Sequence, residues 1–338
     1  MQSLSIVLQG PLGDAGELPR TTWKYILRTR RTFPLAELIV SGWKTSPERD
    51  AQLQAQLAGQ NIILVLSDDP GPVVGYDRGG KYVTNVNRQL ISSRTGLAAA
   101  TRPLAIKMRI DSYLYSRKLV RLLTSRVLAL DGLDRDGRYT VFQSRVINLN
   151  LYARDARGSI PILFHPGDIM LAGKTADVRS FFAAPLAHHD DLFHPTGIAG
   201  LWSAWRYVSE QYYWIHAIAK ARGVKVFEGN TAYTAALRDC SERYYLANFI
   251  PYSPRQLGFR WPKYWRSYPL RGLFSVYTQR RWLRLHHRVH GQSTPLTPML
   301  LLDMAGTLIW RACYRLRARI VRVPHIRRVL LALFSHRK

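Results

Sequence analysis

The sequence has little cysteine, few acids and no long apolar run. Its 338 residues include only Cys240 and Cys313, with no metal-ligand partner at close spacing. That excludes a disulfide framework and suits a reducing compartment. No stretch reaches the roughly 18 apolar residues a membrane span needs. The longest candidate, Met299 to Trp310, is broken by Asp303. The first ten residues lack the basic leader of a signal peptide and are expected to form the first strand of a domain. GxGxxG and P-loop patterns are absent, as are RNP, KH, helix-turn-helix and zinc-finger signatures.

What is present is base. Lys and Arg number 49 against 22 Asp and Glu, a formal charge of +27. Such a chain attracts polyanions: nucleic acid, acidic lipid headgroups or phosphorylated substrates. The excess is uneven, because residues 251–338 hold 18 of the bases and one acid, Asp303. Two regions are expected, a catalytic one over 1–250 and a basic tail over 251–338. With 47% hydrophobic residues, a sizeable core is feasible.

Leu104 to Asp111 organises the first region. Leu104, Ile106, Met108 and Ile110 alternate with Ala105, Lys107, Arg109 and Asp111. The period predicts a strand with one buried face and Lys107, Arg109 and Asp111 in a row on the other. Two cations beside one carboxylate at the carboxyl end of a strand suit an anionic ligand held partly through a metal. Upstream, strands at Leu4–Leu8, Ala36–Ser41 and Asn61–Leu66 alternate with helices at Thr21–Phe33, Glu48–Leu57 and Thr84–Leu97. That order predicts a mixed, mostly parallel α/β sheet with flanking helices. Asp68-Asp69-Pro70-Gly71 reads as a turn. Asn87 and Arg88 open the third helix, where phosphate binds readily.

Downstream, helices are expected at Arg117–Leu130 and Ser203–Gly223, and strands at Tyr139–Asn150, Ile160–Leu163, Ile169–Ala172 and Val224–Phe227. The cluster His188-His189-Asp190-Asp191 with His194 matches no zinc spacing and reads as a polar loop. From Pro251 on, Pro251, Pro254, Pro262 and Pro269 break regular structure, and Trp261, Tyr264, Trp265, Tyr268 and Trp282 are interleaved with arginines. Thr297-Pro298 predicts a helix from about Met299 to Arg322, and another starts at Pro324. Basic amphipathic helices with interfacial aromatics suit an anionic membrane surface.

The chain resembles the WavE lipopolysaccharide-synthesis family of bacterial glycosyltransferases. The resemblance rests on Ser5–Pro11, Phe33–Trp43, Asp69–Gly71, Asn85–Ser92, Lys107–Asp111, Phe164–Asp168 and Glu210–Tyr212, in that order, within residues 1–250. It implies a GT-A-like transferase that moves a sugar from a nucleotide-sugar to a lipopolysaccharide or other lipid-linked glycan, on the cytoplasmic face of the inner membrane. On that reading Asp111 holds Mg²⁺ or Mn²⁺ with the donor diphosphate, and Lys107 or Arg109 stabilises the leaving nucleotide. Gln9, Gly10 and Ser41 line the nucleoside pocket, and Asn87 and Arg88 contact nucleotide or phosphate. Asp168 is the first candidate base and Glu210 the second; His165 is a possible ligand to metal or phosphate. The rival readings are a nucleic-acid-binding protein, motivated by charge, and an inactive membrane adaptor.

Overall fold

Leu4–Gln9, the first strand (β1), has no exposed side chain. A strand covered on both faces is the mark of a parallel sheet sandwiched between helices. The computed structural model describes residues 3–13, 18–77, 80–124, 132–194, 205–230, 233–264 and 274–322. After β1 come α1 (Arg20–Thr32), β2 (Glu37–Trp43), α2 (Pro47–Ala58) and β3 (Ile62–Ser67). A hairpin, β4 (Val73–Asp77) and β5 (Gly80–Thr84), leads to α3 (Val86–Ala99), β6 (Leu104–Arg109), β7 (Tyr113–Leu114) and α4 (Lys118–Thr124). The second half holds β8 (Val146–Leu149), β9 (Met170–Lys174), α5 (Thr175–Phe181), α6 (His189–Leu192), α7 (Ser209–Arg222) and α8 (Ala235–Asn248). It closes with β10 (Phe249–Tyr252), α9 (Pro254–Leu257), β11 (Phe259–Arg260), α10 (Gln279–Val289) and α11 (Pro298–Arg322).

The main sheet has seven strands in the order β10-β8-β9-β6-β1-β2-β3. β3, β2, β1 and β6 run parallel, β9 is antiparallel to both its neighbours, and β10 is parallel to β8. This is the expected mixed, mostly parallel sheet with flanking helices, followed by C-terminal helices. Local chemistry explains several boundaries. Ser46 caps α2, accepting from Arg49 N at 3.3 Å, and Pro47 starts its first turn. Gly223 ends α7 in the left-handed region at φ +70°. Thr297 caps α11, accepting from Leu300 N at 3.2 Å. Gly96 lets α3 sit close on the sheet, since a Cβ there would lie 2.6 Å from Val7 and 2.8 Å from Ser41.

Several expectations need correction. β6 does not have one buried face and one open face. It lies between β1 and β9 and is covered on both faces, so Lys107 is fully buried. The β4–β5 hairpin and α8 carry no expected counterpart. Ile160–Leu163 and Val224–Phe227 form no strand, and the Tyr139–Asn150 strand is confined to β8. His189–Leu192 is a short helix, not a loop. Parts of the expected helices at 125–130 and 203–204, the helix from Pro324, and Trp265 and Tyr268 lie outside the described residues.

The expected boundary at residue 250 falls inside β10, an edge strand of the main sheet. Residues beyond it belong to the core. Trp282 of α10 is wholly buried and donates its indole N–H to Phe249 O at 2.7 Å, clamping that edge strand. Truncating a buried Trp removes its transfer free energy and leaves a cavity, which together cost about 3–5 kcal/mol. Trp282→Ala is therefore expected to lower unfolding stability by about that much in urea titration. A midpoint unchanged from wild type would mean that α10 is a detachable tail.

Candidate active site

The carboxyl end of β6 gathers most of the candidate residues. Gln9 and Arg109 are ladder partners, and Ile110 N donates to Gln9 O at 2.9 Å. Lys107 Nζ donates to Asp168 O at 2.7 Å and lies 3.3 Å from Asp168 Oδ2. It also sits 4.7 Å from the centre of the Phe182 ring, a cation–π contact. Asp168 is 2% exposed and accepts a further bond from Gln89 of α3. Burial holds the Lys107 ammonium below its usual range, and Asp168 opposes that shift.

The segment carrying Asp168 is fixed from below. Asn148 Nδ2 donates to Pro166 O at 2.5 Å, and Arg154 N donates to His165 O at 2.9 Å. Gly167 adopts φ +76°, and a Cβ there would lie 3.1 Å from Ala153 N. Only glycine turns this corner so close to backbone. Phe164, at φ +51°, is held by Ser241 Oγ accepting from its N–H at 2.8 Å. A non-glycine residue in that region costs about 1–3 kcal/mol, and such positions cluster at functional sites.

Glu210, in the first turn of α7, completes the group. Its Oε2 is 3.7 Å from His165 Nε2, and its side chain is 21% exposed. Burial first, then the Asp168 carboxylate, pushes its pKa up to about 7. His165 is driven the other way. Burial, helped by Arg154, lowers it to about 3, so the imidazole is neutral. His165 Nδ1 is buried with no hydrogen-bond partner among the described residues.

Arg109 and Asp111 form the lip of the site. Arg109 Nε and Nη2 donate to the two Asp111 oxygens at 3.0 and 3.1 Å, and both side chains are just under a third exposed. The Arg109 guanidinium lies 5.2 Å from the Trp261 ring, which packs on Tyr264 at 4.1 Å. Trp261 and Tyr264 line a cavity of about 400 Å³ with Tyr115, Leu151 and Phe259. These two aromatics were expected at a membrane; Trp261 is 7% exposed and belongs to the site instead.

The remaining candidates divide. Gln9 is 2% exposed, with Oε1 accepting from Ser92 Oγ at 2.9 Å and Nε2 lacking a partner among the described residues. Gly10 follows it, its N–H on Ser41 O at 3.2 Å. Ser41 is sealed under α3, 3.3 Å from Thr95 Oγ1. Asn87 is spent on both backbone groups of Ala187, at 2.9 and 2.8 Å. Arg88 is closed on Asp69 by bonds of 2.7 and 2.6 Å. Sequence reasoning missed Gln89, although it lies inside the Asn85–Ser92 motif. It also missed Arg154, whose proximity no spacing reveals.

A metal was expected at Asp111 and His165. Among the described residues, no group of three or more His, Cys, Asp and Glu side chains is placed to hold one. His165 faces Glu210, and Asp111 faces Arg109. A lone, partly exposed carboxylate fits a hard cation whose other oxygens come from phosphates, as Mg²⁺ prefers. It does not fit a resident metal centre.

A family profile described as WavE lipopolysaccharide synthesis matches residues 4–316. The match runs well past residue 250, so the resemblance expected to stop there extends through most of α11. No curated protein matches the chain. Solved structures similar to it include an active-site mutant of LgtC, with 12% identity and a TM-score of 0.31 over 52% of this chain. They also include a galactosyltransferase LgtC complex with donor and acceptor sugar analogues, at 13% and 0.29. TarS from S. aureus aligns over 88% of this chain and 44% of its own, with 9% identity and a TM-score of 0.31. The chain spans 59% of the LgtC chains it matches.

The raised Glu210 pKa has a stability consequence. Between its ordinary value of 4.5 and about 7, the folded protein keeps a proton that the unfolded chain has released. Folding stability from this group therefore falls as pH rises through that window. Glu210→Gln removes the penalty. The stability of the variant relative to wild type, from urea unfolding, is expected to climb from pH 4.5 to 7 and then level off. Parallel curves for the two proteins would place the carboxyl at an ordinary pKa.

Proposed function

The chain belongs to the WavE lipopolysaccharide-synthesis family, and on that premise we propose that it is a GT-A-like glycosyltransferase. It moves a sugar from a nucleotide-sugar donor to a lipopolysaccharide or other lipid-linked glycan acceptor. The observation that carries this reading is the end of β6, where the partly open Arg109–Asp111 pair borders the buried Lys107–Asp168 pair and the partly exposed Glu210. Ligands of open α/β sheets bind beyond the carboxyl ends of strands.

In this mechanism Glu210 is the base, in preference to Asp168. Asp168 is 2% exposed and already held by Lys107 and Gln89, so it cannot reach an acceptor hydroxyl. Burial, with the Asp168 charge adding to it, keeps Glu210 near neutrality, where a base works best. Glu210 takes the proton of the acceptor hydroxyl as the new glycosidic bond forms and the bond from the sugar to the diphosphate breaks. Asp111 would hold a divalent cation, Mg²⁺ or Mn²⁺, together with the donor phosphates, and the ion would supply charge neutralisation at the leaving phosphate. Arg109, released from Asp111, stabilises the same charge directly. The aromatic cavity at Trp261 and Tyr264 offers ring faces to an acceptor sugar. The acceptor is lipid-linked, so the protein works as a peripheral protein at the cytoplasmic face of an anionic membrane. No helix among the described residues is long and apolar enough to cross one.

The test is a panel of nucleotide-sugars with Mg²⁺ or Mn²⁺, read by release of nucleoside diphosphate. One donor is expected to turn over, with a rate that rises with pH to a plateau above about 7. Glu210→Gln is expected to lose about 10²–10⁴-fold in kcat with little change in KM. Asp111→Ala is expected to lose metal-dependent donor turnover. Wild-type rates in both variants would remove this site from the chemistry.

A further inference from the structure

A second, larger cavity of about 510 Å³ lies between the segment at 155–161 and helices α8, α10 and α11. It shares no lining residue with the aromatic cavity at Trp261. Seven arginines and three acids line it. The acids are all engaged. Glu242 accepts from Arg157 and Arg288, each at 2.8 Å, while Asp155 and Asp303 are bridged by Arg281 at 3.0 and 2.9 Å. Arg238, Arg284, Arg311 and Arg315 have no carboxylate partner among the described residues. Four guanidinium groups around one concavity, with the local acids spent, are a site for a multiply charged anion.

The outer side of α11 says where that anion comes from. Leu301, Leu302, Leu308, Ile309 and Leu316 are each between 53% and 65% exposed. At 3.6 residues per turn they fall in one arc of about 120°. Arg311 and Arg315 sit beside that arc, on the cavity side, where Asp303 and Thr307 also face. An apolar helix face flanked by arginines is the arrangement of a helix lying in a membrane interface. Leu308 belongs to both the arc and the cavity wall.

We propose that this cavity takes the phosphate-bearing headgroup of an anionic membrane lipid while the apolar face of α11 enters the bilayer. The site rests on the membrane placement proposed above and is independent of the transfer chemistry. Charge complementarity fixes the occupant: the arginines favour phosphate, and the adjoining leucines favour acyl chains rather than water.

The experiment uses full-length protein and vesicles of phosphatidylcholine alone or mixed with phosphatidylglycerol, read by co-sedimentation. Arg284→Gln with Arg315→Gln alters the cavity without breaking an ion pair, so both variants should fold. Arg20→Gln with Arg121→Gln removes the same charge on α1 and α4, away from α11. The expected result is binding of wild type to the anionic vesicles only, at least tenfold weaker for the cavity pair, and nearly wild type for the control pair. Leu308→Ser with Leu316→Ser is expected to weaken binding as much as the cavity pair. Equal losses in the cavity and control pairs would reduce the effect to net charge and overturn the site, leaving the membrane placement intact. No vesicle binding by wild type would overturn both, and so would thermal stabilisation by soluble pyrophosphate without vesicle binding. A wild-type dimer that the leucine pair converts to monomer would mean that a second copy covers α11.

Discussion

Lys107 puts an ammonium group in the middle of the sheet, and the arrangement around it follows from that. Burying an unpaired charge costs several kcal/mol. Here the cost is offset by Asp168, which meets Lys107 through both its carbonyl and its carboxylate, and by the ring of Phe182. Asp168 can do this only because Asn148, Arg154 and Gly167 hold the Phe164–Asp168 loop against the 151–154 segment. Burial first, and this same carboxylate second, raise Glu210 and keep its proton affinity near neutrality. A cation that looks structural thus sets up a titratable group that looks functional.

This divides the work between two neighbouring ion pairs. Lys107–Asp168 is sealed and fixes the electrostatics. Arg109–Asp111 is partly open and begins two ladder positions beyond. Buried pairs are costly to break, while half-exposed ones rearrange cheaply. The aromatic wall at Trp261 joins the second pair to a cavity of about 400 Å³, so the open pair lies between the carboxyl end of the sheet and an apolar pocket.

Much of the fold was legible in the sequence because its signals are local. Ser46-Pro47, Gly223 and Thr297-Pro298 mark helix ends through capping chemistry within one turn. β6 misled because alternating side chains imply one open face only when one face is open, and this strand is central. Pro251 reads as a breaker, yet it sits in edge strand β10, where a missing N–H is tolerated. Trp261 and Trp282 read as interfacial aromatics because their neighbours are arginines, and burial at such positions depends on partners far away in the chain. The candidate site was legible as residue types but not as roles. Lys107 and Asp168 are 61 positions apart, and nothing in either motif says that one will seal the other.

The account depends on Glu210 being held near neutrality by its burial and by the Asp168 carboxylate beside it. The direct measurement is the titration of the Glu210 carboxyl, followed by carbon NMR or infrared difference spectroscopy of glutamate-labelled protein. The expected midpoint is about 7 in wild type, moving down toward the ordinary carboxylate range in Asp168→Asn. A wild-type midpoint near 4.5, or one that Asp168→Asn leaves in place, would contradict it.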